Sequence, residues 1–139
     1  MQLNSVRAVV TGGVSGLGLA VAQYLVAHGG KVALFDVNED KGAAAVAELG
    51  AANARYFRTD VTDETVVATN VATAKEFLGG LNAAINCAGI LGTARVVGKD
   101  GAMPLKNFTG TVMVNLIGSF NVAKAAAELM QHNEASADG

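Results

Sequence analysis

Thr11-Gly12-Gly13-Val14-Ser15-Gly16-Leu17-Gly18 constrains the fold more than any other stretch of this chain. It stands between a short β-branched apolar run, residues 6–11, and an apolar run of helical length, residues 16–27. A strand that passes through glycines directly into a helix is the start of a βαβ unit. The same alternation continues along the chain. Residues 31–35 (KVALF) read as a second strand closed by Asp36, and residues 40–49 as an Ala-rich helix with Gly50 just beyond it. Residues 54–58 (ARYFR) make a third strand, less apolar than the others and so suited to a sheet edge. Thr62 or Asp63 caps a helix running to Leu78, which Gly79-Gly80 stop. Residues 81–86 (LNAAIN) form a fourth strand ending in Cys87-Ala88-Gly89.

Residues 90–104 carry three glycines and read as a loop; residues 105–132 read as one long helix, and residues 133–139 as a polar, loop-like tail. Glycine inside a helix costs about 1 kcal/mol relative to alanine, so close packing is expected at Gly110 and Gly118. Strands alternating with helices predict an α/β chain: a doubly wound parallel sheet in strand order 3-2-1-4, forming a single domain over residues 1–139.

Composition narrows the classes further. Hydrophobic residues make up 51% and charged residues 16%, which excludes a disordered chain. Ten basic residues against twelve acidic ones give a net charge of −2, and no Lys/Arg cluster marks a nucleic-acid surface. Cys87 is the single cysteine, so no intrachain disulfide forms, as expected for a reducing compartment. The first residues lack a signal-peptide pattern, and no apolar run approaches the ~18 residues of a membrane helix. These features predict a soluble, cytoplasmic protein.

The position of the glycines carries the chemistry. A diphosphate needs exposed N–H donors, which a helix N-terminus supplies together with a favourable dipole. Gly12 suits the tight turn, Gly16 lets the backbone approach the phosphates, and Gly18 lets the helix pack closely. Ser15 adds a hydroxyl and Leu17 a backbone amide. The alternative is an ordinary glycine turn between strand and helix. Asp36, 18 residues after Gly18, suits a carboxylate that accepts both ribose hydroxyls of an adenosine and repels a 2′-phosphate. No Lys or Arg lies in the turn or directly after Asp36, so NAD is favoured over NADP. A simple strand-end turn residue is the other reading of Asp36. Asp60 suits acceptance from an adenine amino group and the Val61 N–H donation to the ring; a turn and helix cap over Asp60-Val61-Thr62-Asp63 accounts for them equally well.

Thr11-Gly12-x-x-x-Gly16-x-Gly18, Asp36, Asp60, Asn86-Cys87-Ala88-Gly89 and Asn115 together resemble the short-chain dehydrogenase/reductase family, over the whole chain. Within it, Ser15-Gly16-Leu17-Gly18-Leu19, the Cys87 in Asn86-Cys87-Ala88-Gly89 and the long segment before the last helix are similar to the type-2 3-hydroxyacyl-CoA dehydrogenase group. The resemblance implies a Rossmann-type fold and hydride transfer between NAD and a secondary alcohol or ketone, including a 3-hydroxyacyl-CoA or a steroid-like alcohol. It implies a homo-oligomer, dimer or tetramer. It also implies residue roles. Asn86 would stabilise the centre of the sheet, and Cys87 would line the cofactor site with its backbone. Ala88 and Gly89 would approach the cofactor ribose, and Val114 the adenosine side. Asn115 would be the catalytic Asn whose carbonyl holds a water of the proton relay. From the residues alone, Asn115 reads equally as a satisfied core Asn.

The family's catalytic Ser and its Tyr-x-x-x-Lys pair do not stand in this sequence: His28 lies four residues after Tyr24, and Asp60 four after Tyr56. The fourth strand, apolar on both faces, would lie at a sheet edge. The expectation is therefore a domain lacking its C-terminal strands, with a non-catalytic NAD-binding module as the alternative. Cys87 lacks a neighbouring His base for thiol chemistry, no spacing suits a metal site, and Lys99 and Lys106 read as solvated side chains.

Overall fold

A computed structural model describes residues 2–92 and 94–135; the last four residues of the tail, 136–139, lie outside the described residues. After a 3-10 turn (Leu3–Ser5), the chain runs β1 (Arg7–Thr11), α1 (Gly16–Ala27), β2 (Lys31–Asp36), α2 (Glu39–Leu49), β3 (Ala54–Arg58), α3 (Glu64–Leu78) and β4 (Ala83–Asn86). A two-stranded hairpin follows, β5 (Val97–Gly98) and β6 (Gly101–Ala102), then α4 (Leu105–Val112), a π-helical turn (Met113–Gly118) and α5 (Ser119–Met130).

The main sheet is parallel, in the expected order β3-β2-β1-β4. Successive residues of β1 and β2 serve opposite faces. Val9, Ala33 and Phe35 pack with Val67, Val71 and Leu78 of α3 and Val122 of α5. Val10, Val32 and Leu34 pack with Ala22 and Leu25 of α1 and Ala45 and Leu49 of α2. Two cores, one on each face, explain why these strands are continuously apolar.

The helix ends follow from local chemistry. Asn38 caps α2 by accepting from the Lys41 N–H at 2.9 Å. Asp63, one of the two expected caps, accepts from the Val66 N–H of α3 at 3.0 Å. Gly79 closes α3 in the left-handed region, with φ 71°.

Three expectations change. The helix expected over 105–132 is broken by the π turn, where backbone bonding shifts by one residue. The loop over 90–104 contains the β5–β6 hairpin. At Gly118 a Cβ would lie 2.4 Å from Val61 Cγ2, as close packing requires, but at Gly110 it would meet nothing within 4 Å. The Gly110 side of α4 is open, so the expected close contact is absent there. At the end of β4, Asn86 is exposed, with Nδ2 donating to the Ser119 carbonyl at 3.4 Å.

Candidate active site

The carboxyl ends of β1, β2, β3 and β4 open onto one cleft of about 490 Å³. It lies where α1 departs toward one face of the sheet and the chain beyond β4 toward the other, the usual ligand position in open α/β sheets. All the expected site residues line this cleft except Gly18 and Asn115. The lining residues that sequence reasoning missed are Phe35, Val37, Thr59 and Ile90. Phe35 and Thr59 sit beside Asp36 and Asp60, so their place at a strand's carboxyl end is the signal that identifies them.

The α1 end of the cleft is built by backbone approach. The Leu19 N–H to the Ser15 carbonyl, 3.1 Å, is the first bond of the helix, so the N–H groups of Gly16, Leu17 and Gly18 precede it. Ser15 is the N-cap residue, yet its hydroxyl makes no bond to its own helix. Gly16 has φ 51°, and a Cβ there would meet nothing within 4 Å, so space lies open beside it. Gly18 stands behind the cleft: a Cβ there would lie 2.2 Å from the Gly12 carbonyl oxygen. Gly12 is required from the other side too, since its Cβ would lie 2.8 Å from the Cys87 carbonyl oxygen. Gly13, unremarked in the sequence, is equally confined, 2.7 Å from the Val10 carbonyl oxygen.

Thr11, buried at the end of β1, joins the two halves of the cleft. Its hydroxyl accepts from the Cys87 N–H at 3.1 Å and the Ala88 N–H at 3.0 Å, while its carbonyl accepts from Cys87 at 3.2 Å. Cys87 lines the cleft with its N–H already engaged by Thr11.

The carboxylates line the opposite wall. Asp36 Oδ1 accepts from the Asn38 N–H at 3.1 Å, so Asp36 is both a turn residue and a cleft residue. Its carbonyl is held by the Tyr56 hydroxyl at 2.8 Å and the Thr59 N–H at 2.9 Å. Burial, with the nearby Asp36 and Glu39 charges, pushes the Tyr56 hydroxyl above its ordinary value and keeps it a donor. Asp60 Oδ1 accepts from the Thr62 hydroxyl at 2.7 Å and the Thr62 N–H at 2.9 Å. These two bonds hold the Asp60 carboxyl below its ordinary value. The turn reading of Asp60 is therefore correct as far as Oδ1 goes, while the residue also faces the cleft.

Asn115 lies in the π turn and beside the cleft rim. It is exposed, which removes the core reading. Its side chain pairs with the Ile90 backbone, Oδ1 accepting from N–H at 2.9 Å and Nδ2 donating to the carbonyl at 3.0 Å. Its own carbonyl accepts from the Ser119 hydroxyl at 2.8 Å. Among the described residues, no group of three or more His, Cys, Asp or Glu is placed to hold a metal, and no helix is long and apolar enough to cross a membrane.

Comparison with known proteins bears on this arrangement. The profile of the short chain dehydrogenase family matches residues 6–137. The 3-hydroxyacyl-CoA dehydrogenase type-2 of Homo sapiens is 40% identical over 134 residues, covering 95% of this chain and 51% of the relative. Momilactone A synthase of Oryza sativa subsp. japonica is 37% identical over 123 residues, covering 88% of this chain and 44% of the relative. The crystal structure of 3-hydroxyacyl-CoA dehydrogenase type-2 from Mycobacterium avium superposes with a TM-score of 0.87 at 32% identity, covering 96% of this chain and 53% of that one. The chain thus spans about half the length of the relatives it matches.

Proposed function

The chain belongs to the short-chain dehydrogenase family, and from that premise we propose that it is the cofactor-binding part of an NAD-dependent oxidoreductase acting on a secondary alcohol or ketone, with a 3-hydroxyacyl-CoA as the favoured substrate. One observation carries the proposal. The N-terminus of α1, with Gly16 open and the Ser15 hydroxyl unengaged by its helix, faces the same cleft as the Asp36 carboxylate.

NAD, when bound, supplies the hydride acceptor and, in its reduced form, the donor. The donor set fits such a ligand: the first amides of α1 and the Ser15 hydroxyl take the diphosphate, favoured by the helix dipole. Asp36 accepts the ribose hydroxyls, and among the described residues no Lys or Arg lines the cleft to neutralise a 2′-phosphate. Asp60 and the Val61 N–H take the adenine, and Ala88 and Gly89 leave room for the second ribose. Asn115, anchored on Ile90 beside the cleft, would offer the carbonyl lone pair not taken by the Ser119 hydroxyl to a water of the proton relay. The proposal includes a cytoplasmic homo-oligomer, a dimer or tetramer.

A second reading, a nucleotide-binding module or partner subunit without turnover, rests on how the two tyrosines of this half-length stretch are used. Tyr24 lies on α1 with its ring centroid 4.3 Å from that of His28, and Tyr56 is bonded to the Asp36 carbonyl. Neither precedes a lysine by four residues. Turnover of a 3-hydroxyacyl-CoA with NAD separates the two.

Calorimetry tests the cofactor. NAD is expected to bind more tightly than NADP, and Asp36→Ala to weaken NAD by about tenfold or more, the size of hydrogen bonds to a charged group. Equal affinity for the two dinucleotides sinks the Asp36 assignment.

A further inference from the structure

We propose that Asn121 is a positioning residue that sets the base preference of the cleft, acting from α5 through the Val61–Thr62 peptide group; the inference rests on the nucleotide reading above.

Gly118 and Asn121, three residues apart, share one face at the start of α5. Both meet the same loop residue. Gly118 admits the Val61 side chain to within 2.4 Å of where its Cβ would be. Asn121 is buried, 6% exposed, and its Nδ2 donates to the Val61 carbonyl at 3.0 Å. The packing of α5 on the sheet and α3 is supplied by Val122, Ala125 and Ala126. A buried amide is therefore not needed for that apolar contact, and this one reaches a loop carbonyl 60 residues away in the chain.

The other end of the same peptide group is held as well. The Thr62 N–H donates to Asp60 Oδ1 at 2.9 Å. Asn121 at the carbonyl and Asp60 at the N–H thus clamp one rigid plane between them. Asp60 and Val61 line the cleft at this end beside Thr59, so the clamp holds the Asp60 carboxylate directly and, through the shared Val61 Cα, the neighbouring peptide plane that carries the Val61 N–H. Adenine offers an amino donor and a ring-nitrogen acceptor. Hypoxanthine offers a carbonyl and a ring N–H instead, which reverses both partners. Discrimination between them depends on the orientation that the clamp maintains.

The test titrates the full chain with NAD and with nicotinamide hypoxanthine dinucleotide, unmodified and as Asn121→Ala and Asn121→Ser. Asn121→Ala is expected to weaken NAD by about five- to tenfold, one hydrogen bond's worth, and the hypoxanthine dinucleotide by less than about twofold. Asn121→Ser retains a small polar group and decides the matter in the same way if Asn121→Ala does not fold. Proportional loss of both ligands, or loss of neither, overturns the inference. So does an unmodified chain that binds both ligands equally. An unmodified chain that binds neither overturns the nucleotide reading itself.

Discussion

The α1 end of the cleft and the α4 end differ in how their geometry is held. Around β1 and β2 the chain is locked by backbone against backbone: Gly12, Gly13 and Gly18 all stand where a Cβ would lie within 3 Å of main-chain atoms. Every residue from Ala8 to Thr11 and from Val32 to Phe35 is buried. At the other end α4 buries none of its residues, and Leu105, Phe108, Leu116 and Phe120 are exposed. There the cleft rim is tied by individual hydrogen bonds, Asn115 to Ile90 above all. The first end is a packed core that happens to present amides; the second is a helix face whose position rests on a few polar contacts.

The sharpest way to break this comparison is a pair of truncations. Phe35→Ala is expected to cost about 3–5 kcal/mol of stability, whereas Phe108→Ala, on the exposed face, stays within about 0.5 kcal/mol; denaturant unfolding measures both. Equal losses would mean that α4 is packed as tightly as the core. Next comes the joint between the two ends. Thr11→Val keeps the shape but leaves the Cys87 and Ala88 N–H groups without their hydroxyl acceptor, at an expected cost of about 1–3 kcal/mol. Amide exchange at those two residues should rise with it. Gly110→Ala sharpens the comparison in the opposite direction: with open space at that position, alanine is expected to stabilise α4 by up to about 1 kcal/mol. A destabilised variant would reveal a contact the open face conceals.

The smallest effect is a pH dependence. Asp60 is exposed, and its carboxyl is lowered below its ordinary 3.8 by the two Thr62 donors. A carboxyl lowered in the folded state stabilises the fold above that ordinary value, and the contribution is lost as pH falls through the lowered one. Carboxyl titration by NMR should therefore place Asp60 below 3.8, and Thr62→Val should return it toward that value.

The order of elements was legible because buried parallel strands are apolar on both faces and helices are not. Val9 and Val10 face different cores, and no half-buried strand tolerates that pairing. The cleft was legible because its residues follow strand ends, where the chain must turn and backbone groups are free. The exceptions have physical causes. Gly118 and Gly110 look alike in sequence, yet only Gly118 faces another segment, and that segment is 57 residues away in the chain, at Val61. The π turn has no composition of its own, since Met113–Gly118 reads as plain apolar helix. Asn121 resembles any polar helix residue until burial and its bond to Val61 are known.

What the sequence determined by itself was local: which stretches are strands, which are helices, and that glycines and an acid stand at the ends of the first two strands. Those properties depend on periodicity and backbone freedom, which neighbouring residues express. The tertiary structure alone decided which distant groups meet: Thr11 with Ala88, Asn115 with Ile90, Asn121 with Val61. Each is a single hydrogen bond or a pair of them between segments far apart in the chain. Such contacts leave no period in a sequence, because their partners are brought together only when the sheet closes around the cleft.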